Sequence, residues 1–418
     1  MTDDELRRRI GAVLERNRRR GYSRGLKQHY DFIKPAGNRY PFQYFWDTCF
    51  HVFILDRLGR LDEAKQQLRS LFQLQQPDGF VGHEIYWQSL LPAKPEDILQ
   101  ARLSLTHLRP AMSALIQPPL VAWAASRIFH GSGDRTFLEE MLPKFKLYFD
   151  WLAENRDFDG DGLISIITPY ESGIDYKPSF DEALGFGSGR GRLGLYLRAG
   201  RVDLANFWRR YHLPAIYQAK RFIVKEVTYN TLYAHDLEVL AGLLETIHDP
   251  DARRYRQRAE QVGRRLVELM YDAETAAFYD INVTTGRHLQ VLTPSIFAPL
   301  ILSQVTDTVA RSVIDRHFSS KQEFQAPFPL PSVATSHPAF FAEESHYIWR
   351  GPTWIAYNWL TYQALRQRGF DQPAATLYRS TRQLIDTSGF REYYNPFTGA
   401  GYGAINFTWS GLVLDMMD

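Results

Sequence analysis

The chain has 418 residues, with 49 Lys and Arg against 47 Asp and Glu, for a formal net charge of +2. Signs this closely balanced exclude a dedicated nucleic-acid or membrane-surface binder, because both need a strong basic field. The single cysteine, Cys49, excludes an internal disulfide and any cysteine-rich metal site.

A chain of this length can bury a large core. No Pro/Ser/Gly-rich stretch divides it, so one domain spanning 1–418 is expected. Met1 to Leu6 carry no apolar core of the signal-peptide kind, and no apolar run reaches bilayer-spanning length. A cytoplasmic protein is expected, with no membrane or nucleic-acid partner and no cofactor. The oligomeric state is left open, a homo-oligomer included.

Helical periodicity runs through the chain. Thr2 and Glu5 form a capping box ahead of Leu6, Ile10, Val13 and Leu14. Leu61, Ala64, Leu68, Leu71 and Gln75 trace a second stripe, which ends near Pro77. Met141, Phe145, Phe149 and Leu152 make a third, and Tyr255, Ala259, Val262, Leu266 and Leu269 a fourth. Further helices are expected near 42–57, 111–130, 203–224, 228–247, 304–317, 351–367, 371–386 and 405–417. Strand signals are short: Phe278 to Val283 and His288 to Val291, joined by Thr284-Thr285-Gly286, read as a hairpin. Strands do not alternate with helices, which excludes a parallel α/β sheet. Consecutive helix pairs joined by long polar and aromatic loops fit an all-α toroid of inner and outer helices, with a site assembled from loops at one end.

Several stretches have the look of chemistry. Asp157-Phe158-Asp159-Gly160-Asp161-Gly162 begins like a calcium loop, but the twelfth position is Thr168 and not the bidentate Glu such loops require. A tight turn with Asp side chains on backbone amides accounts for it as well, and cation binding at Asp157, Asp159 and Asp161 is left open. His83-Glu84 lacks the second His of a metalloprotease, and no other zinc spacing is present, so no metal is expected. Gly187-Ser188-Gly189-Arg190-Gly191 lacks a P-loop ending and reads as a mobile loop; a lid over 186–193 is left open.

Carboxylates recur beside aromatics in Phe45-Trp46-Asp47, Gly82-His83-Glu84-Ile85-Tyr86-Trp87, Glu171-Ser172-Gly173-Ile174-Asp175-Tyr176 and Phe390-Arg391-Glu392-Tyr393-Tyr394. Sugars have apolar faces that pack on rings and hydroxyl rims that bond to acids. An acid against an apolar wall can also hold its proton near neutrality. Any one of these segments can instead be a loop aromatic with a structural ion pair, but four of them favour a saccharide site.

The Glu171-Ser172-Gly173-Ile174-Asp175 segment resembles the Glu-Ser-Gly-x-Asp motif of glycoside hydrolase family 63. Trp349-Arg350-Gly351-Pro352-Thr353-Trp354 with Asn358 resembles that family's Trp-Arg-Gly-Pro-x-Trp segment, and Phe45-Trp46-Asp47 its early Trp-Asp motif. Glu392, with Pro396, Thr398, Gly399 and Trp409-Ser410, resembles its C-terminal base segment. The resemblance implies an (α/α)6 barrel and inverting hydrolysis of a small α-glycoside, with Asp175 as general acid and Glu392 as general base. Single-domain members of this length look like the mannosylglycerate and glucosylglycerate hydrolases. An α-glucosidase on a small disaccharide, a sugar epimerase or isomerase, and a non-catalytic saccharide-binding protein are the alternatives. His83, His235 and His346 keep the isomerase in view.

Tyr44, Trp46, Asp47, Gln117, Trp349 and Arg350 are the expected sugar contacts, with Tyr86, Trp87 and Tyr233 behind them. His83, Gly351 and Tyr394 complete the set, and Asp47 is the second choice for the base. Glu171 is expected to support the acid or to hold a sugar hydroxyl, and Asp181 to secure the loop. The family motif continues Asn-Ser-Pro after the acid, whereas this chain has Tyr176-Lys177-Pro178-Ser179. Tyr176 and Lys177 are therefore expected to decide which substrate enters, with Lys177 facing either the acid or a substrate carboxylate.

Overall fold

The computed structural model describes residues 1–37, 39–87, 101–104, 109–187, 192–345 and 349–417. Four inner helices, α2 (Phe45–Arg57), α4 (Val121–Ser132), α7 (Val227–Thr246) and α10 (Ile355–Gln367), stand around a common axis. Two tighter 3-10 segments, Pro294–Ile301 and Thr408–Met416, complete the ring. In ring order these are α2, α4, α7, Pro294–Ile301, α10 and Thr408–Met416, each packed on the next, with the last returning to α2.

Each inner segment pairs with an outer helix. Thr408–Met416 pairs with α1 (Asp3–Asn17), α2 with α3 (Leu61–Phe72), and α4 with α5 (Arg135–Arg156). Helix α7 pairs with α8 (Ala252–Met270), Pro294–Ile301 with α9 (Asp307–Val313), and α10 with α11 (Asp371–Ser388). This is an (α/α)6 barrel. Among the described residues, the α-helices Phe180–Ala183, α6 (Arg192–Trp208) and Leu213–Ala219 lie outside the six pairs.

The two layers follow from composition. Every residue of α2 from Phe45 to Leu55 is buried, as a helix apolar on all sides should be. Helix α8 buries one stripe, Tyr255, Ala259, Val262, Leu266 and Met270, and turns its arginines outward. The Thr2 hydroxyl caps α1, as the capping box predicts, by accepting from the Glu5 amide.

Two expected helices are revised. The helix expected over 111–130 begins only at Val121, and residues 109–113 form a strand instead. That strand joins a four-stranded antiparallel sheet with Gln43–Tyr44, Glu84–Ile85 and Ala101–Ser104. The helix expected over 203–224 is broken at 209–212, where Arg210 and Tyr211 adopt left-handed backbone, and a short helix restarts at Leu213. The predicted hairpin is present, with Asp280–Asn282 paired to Arg287–Leu289. Among the described residues, no helix is long and apolar enough to cross a membrane.

Candidate active site

The residues singled out in the sequence gather at one end of the ring, on the N-terminal ends of inner segments and the connections leading into them. The connection before α6 carries Asp175. Pro169–Ser172 makes one tight turn, and Gly173 follows with φ of +72°. A Cβ on Gly173 would lie 2.4 Å from the Trp46 ring, so the indole can pack against this backbone only because position 173 is glycine. That contact fixes the start of the acid's loop to the first turn of α2.

The three acids of the loop part ways here. Glu171 has no solvent exposure. Its oxygens receive both amino groups of the buried Arg156, at 2.5 and 2.8 Å, together with the amides of Ile116 and Ile167. It staples three segments together and has no surface for a sugar hydroxyl. Asp181 is held by a two-pronged Arg350 guanidinium, whose Nε also donates to the Tyr176 carbonyl at 2.9 Å. Arg350 therefore secures the loop that carries the acid. Asp175 remains partly exposed, and its charge acts on the Tyr40, Tyr170 and Tyr176 phenols.

Lys177 is also corrected. Its ammonium is buried between Glu226 and Asp280, with the nearer Asp280 oxygen at 2.8 Å. Ser179 donates to Asp280 as well, at 2.6 Å. Burial opposes the charge on Lys177, but the two carboxylates hold its pKa above the ordinary lysine value. The cation ties the acid's loop to the N-cap of α7 and to the strand at Asp280. Both of its carboxylate partners thus lie outside the acid's own loop, and neither is Asp175.

Glu392 lies on the strand Arg391–Tyr394, which pairs with Gly401–Ile405. The register slips between Arg391 and Tyr393, and such an irregularity re-aims the side chain that sits on it. The Ala404 amide donates to Oε2 at 2.6 Å, and Arg39 Nη1 lies 3.2 Å from the same oxygen. The Tyr40 hydroxyl donates to Oε1. Gly403, at φ +65°, makes room for this grip, because a Cβ there would lie 2.4 Å from Oε2. Sequence reasoning missed Arg39 and Tyr40. They precede the aromatic run, and nothing local links them to a residue more than 350 positions away.

Asp47, in the first turn of α2, accepts the Trp409 indole N–H at 2.6 Å. Burial pushes its carboxyl up to about 7, against the pull of that hydrogen bond and of His83, and the nearby Glu392 charge adds to the rise. His83 Nδ1 is 2.5 Å from Ser113 Oγ, and its ring meets Tyr44 edge-on. The Gln117 carbonyl accepts the Trp46 amide at 3.0 Å, which fixes the start of α2. Trp349 and Trp354 stack at 3.8 Å between centroids. Beside them lies a small cavity of about 10 Å³, lined also by Ile174, Lys177, Ser295 and Tyr357. The Gly351 amide donates to Ser332 at 2.8 Å and so belongs to the framework of that wall.

Four expected contacts are buried against partners within the protein. Trp87 donates to Gln43 at 2.7 Å and stacks on Tyr30. Tyr233 packs on Phe149, between α7 and α5. Tyr394 donates to the Gly389 carbonyl at 2.8 Å and meets Ser410 at 3.0 Å. Tyr86 is buried against Phe42, with its hydroxyl on Glu84. In the Asp157–Gly162 turn, Lys225 Nζ sits 2.7 Å from Asp159 and 2.5 Å from Asp161, where a metal would have to stand. Asp157 accepts the Asp161 and Gly162 amides, as a tight turn requires. Among the described residues no other cluster suits a metal ion. His346 and residues 188–191 of the Gly/Arg loop lie outside the described residues.

A helical toroid that gathers a partly exposed carboxylate, a tightly held second carboxylate and stacked tryptophans at one end defines a glycoside hydrolase. Residues 40–410 match the family described as mannosylglycerate hydrolase MGH1-like glycoside hydrolase domain, and the chain belongs to that family. It is 31% identical to a mannosylglycerate hydrolase of Thermus thermophilus, over 95% of this chain and 97% of the relative. A glucosylglycerate hydrolase of Mycolicibacterium hassiacum is 26% identical, over 90% of this chain and 92% of the relative. A crystal structure of a GH63 mannosylglycerate hydrolase from Thermus thermophilus, in complex with Tris and D-glycerate, superposes with a TM-score of 0.83 at 28% identity. That alignment covers 98% of this chain and 99% of the other. Neutral trehalase Nth1 from Saccharomyces cerevisiae, at 14% identity and a TM-score of 0.60, shares the fold.

Proposed function

We propose that the protein hydrolyses α-mannosylglycerate or α-glucosylglycerate to a hexose and D-glycerate, with inversion at the anomeric carbon. Asp175 is the general acid and gives its proton to the glycosidic oxygen as the C1–O bond breaks. Glu392 is the general base and takes a proton from the water that attacks C1 from the opposite face. Atoms balance as one water consumed, and the pair resets by exchanging one proton with solvent. Inversion needs carboxyls about 6.5–9.5 Å apart, so that water fits under the sugar.

One observation carries the assignment: the Tyr40 phenol donates to Glu392 and feels the charge of Asp175. Two carboxylates far apart in the sequence, Asp175 and Glu392, thus act on one side chain, as an acid and base flanking a single bond must. Their surroundings suit unlike tasks, since Asp175 is partly open and Glu392 is gripped by three donors. The stacked Trp349 and Trp354 offer an apolar wall for the sugar, and Asp47 with His83 a polar rim.

The same reading takes the chain as one catalytic domain, supported by the packing of its last inner segment on its first. It sets the reaction in the cytoplasm, where a chain with one buried cysteine has no use for an oxidising compartment.

The test is proton NMR of the first-formed sugar from each hexosylglycerate. Release of the β-anomer with stoichiometric glycerate is expected. Early α-anomer means retention and removes the role given to Glu392. A single product of unchanged mass means an isomerase. A panel adding trehalose and kojibiose separates the hexosylglycerates from small α-disaccharides.

A further inference from the structure

A base in this reaction needs more than a carboxylate in the right neighbourhood. One particular lone pair must face the water, and the others must be kept from competing for it. A carboxylate offers four acceptor positions. On Glu392, Oε2 receives the Ala404 amide at 2.6 Å and Arg39 Nη1 at 3.2 Å, which accounts for both of its positions. Oε1 receives the Tyr40 hydroxyl. Among the described residues that leaves one acceptor position, on Oε1, on the same oxygen that Tyr40 holds.

We propose that Tyr40 is a positioning residue for the base: its phenol fixes the Glu392 carboxylate so that a single lone pair of Oε1 is presented to the attacking water. This rests on the functional reading above and adds the residue that orients its base.

Tyr40 is itself held for the task. Its φ of +57° lies in the left-handed region, which bulky residues seldom adopt unless neighbours impose it. Its ring stands edge-on to Tyr44 at 5.8 Å and tilts on Phe407 at 6.0 Å. The Arg39 guanidinium lies over the ring, 5.6 Å from its centroid. Burial, and then the Glu392 charge, raise the phenol well above its ordinary pKa, so it stays a donor throughout the working range. On the far side, Gly403 lets the Ala404 amide close on Oε2. The carboxylate is therefore clamped from two directions that do not depend on substrate.

The titratable groups facing Glu392 are Arg39 and Tyr40 on one side and Asp47 from α2. Tyr393 and Glu344 flank Arg39 at the rim, and Asp175 lies beyond the phenol. Removal of the Tyr40 hydroxyl changes only one donor among these.

The experiment is the pH dependence of kcat and KM for Tyr40→Phe on the hexosylglycerate that the wild type hydrolyses. A hydrogen bond to a charged group is worth roughly 1.5–3 kcal/mol, so kcat is expected to fall about 10- to 150-fold. KM should stay within about twofold, since the loss falls on the reacting step. The acidic limb of the kcat profile should move to higher pH, because the carboxylate has lost a donor that favours its charged form. A merely structural tyrosine would lower the thermal midpoint and leave that limb in place. If kcat and the limb are both unchanged, or if KM rises alone, the proposal is wrong.

Gly403→Ala is the second variant, should Tyr40→Phe fold poorly. Its Cβ presses on Oε2 from the opposite side, and loss of the Ala404 bond should move the same limb the same way. An unmoved limb in that variant overturns the proposal equally. The anomer released by the wild-type enzyme reports separately on the underlying reading, so failure of one is distinguishable from failure of the other.

Discussion

The indole N–H of Trp409 donates to Asp47 Oδ1 at 2.6 Å, between residues 362 positions apart in the chain. The bond joins the first turn of α2 to the start of the last inner segment, and Trp46 and Trp409 meet edge-to-face beside it. The carboxyl next to the base is thereby tied to the wall of the barrel. The site's precision is set by such long-range bonds between rigid inner segments, as its supporting interactions show under perturbation.

The proton donor is the sharpest case. Asp175→Asn should lower kcat on a hexosylglycerate by about 10²–10⁴-fold, the usual worth of a positioned general acid. The loss should be much smaller on an activated aryl α-glycoside, whose leaving group needs no proton. Equal losses on both substrates would remove the acid role from Asp175.

Glu171 and Arg156 test a purely structural pair beside the site. Both side chains have zero exposure. Glu171→Gln leaves a buried guanidinium without its counter-charge, which costs about 3–5 kcal/mol. Urea unfolding should show a loss of that size. The double variant Arg156→Met with Glu171→Leu should recover part of it, because no lone charge remains.

Asp236 gives a pH signature of stability remote from the chemistry. Its carboxylate accepts the Ala122 and Trp123 amides at 2.9 and 2.7 Å, and burial raises it from 3.8 to about 7. The folded state therefore keeps a proton that the unfolded state releases between these values. The favourable contribution is complete below pH 3.8 and is lost as pH rises to about 7. Asp47 acts in the same direction. Thermal midpoints should fall from pH 5 to pH 8, and Asp236→Asn should flatten that slope whatever offset the lost acceptor introduces. At about 1.4 kcal/mol per pKa unit, a rise of this size sets an upper bound of roughly 4 kcal/mol for each group.

Gly173→Ala should be severe for so small a change. The new methyl would meet the Trp46 ring at 2.4 Å, on backbone that already sits at φ +72°. The loop must shift to accommodate it and takes Asp175 along. A drop in kcat of at least about tenfold, as misplacement near the chemistry produces, should accompany a change in tryptophan fluorescence. Retention of both signals would show that the contact is not what places the acid.

Outer helices were legible because a helix that buries one face writes its period into the sequence. The stripes of α1, α3 and α8 were found where the structure has them. Inner segments were harder, since a segment buried on all sides has no period. Pro294–Ile301 carries prolines at both 294 and 299 and went unrecognised as an inner element. The break near Arg210 holds no Gly or Pro itself, and its one local mark is Pro214, in the first turn of the helix that restarts after it.

Within the site, sequence singled out Asp175 and Glu392 through their aromatic settings and the family motifs. It had no means of seeing that Lys177 is spent on partners 49 and 103 residues away, or that Arg350 is spent on Asp181, 169 residues earlier. Local sequence records which groups a segment brings. Which of them face water is decided by contacts between segments, and those partners lay outside any window read along the chain.

The order of the ring has a bearing on how the protein is made. Helix α2 is synthesised with Trp46 and Asp47 about 350 residues before Thr408–Met416, the neighbour that covers its open flank. Until then a growing barrel presents the apolar side of α2, and Asp47 has no indole to bond. Contacts this distant in sequence form slowly, and exposed apolar flanks invite association in the interval. Hydrolase activity therefore waits on Thr408–Met416, the segment that closes the ring onto α2.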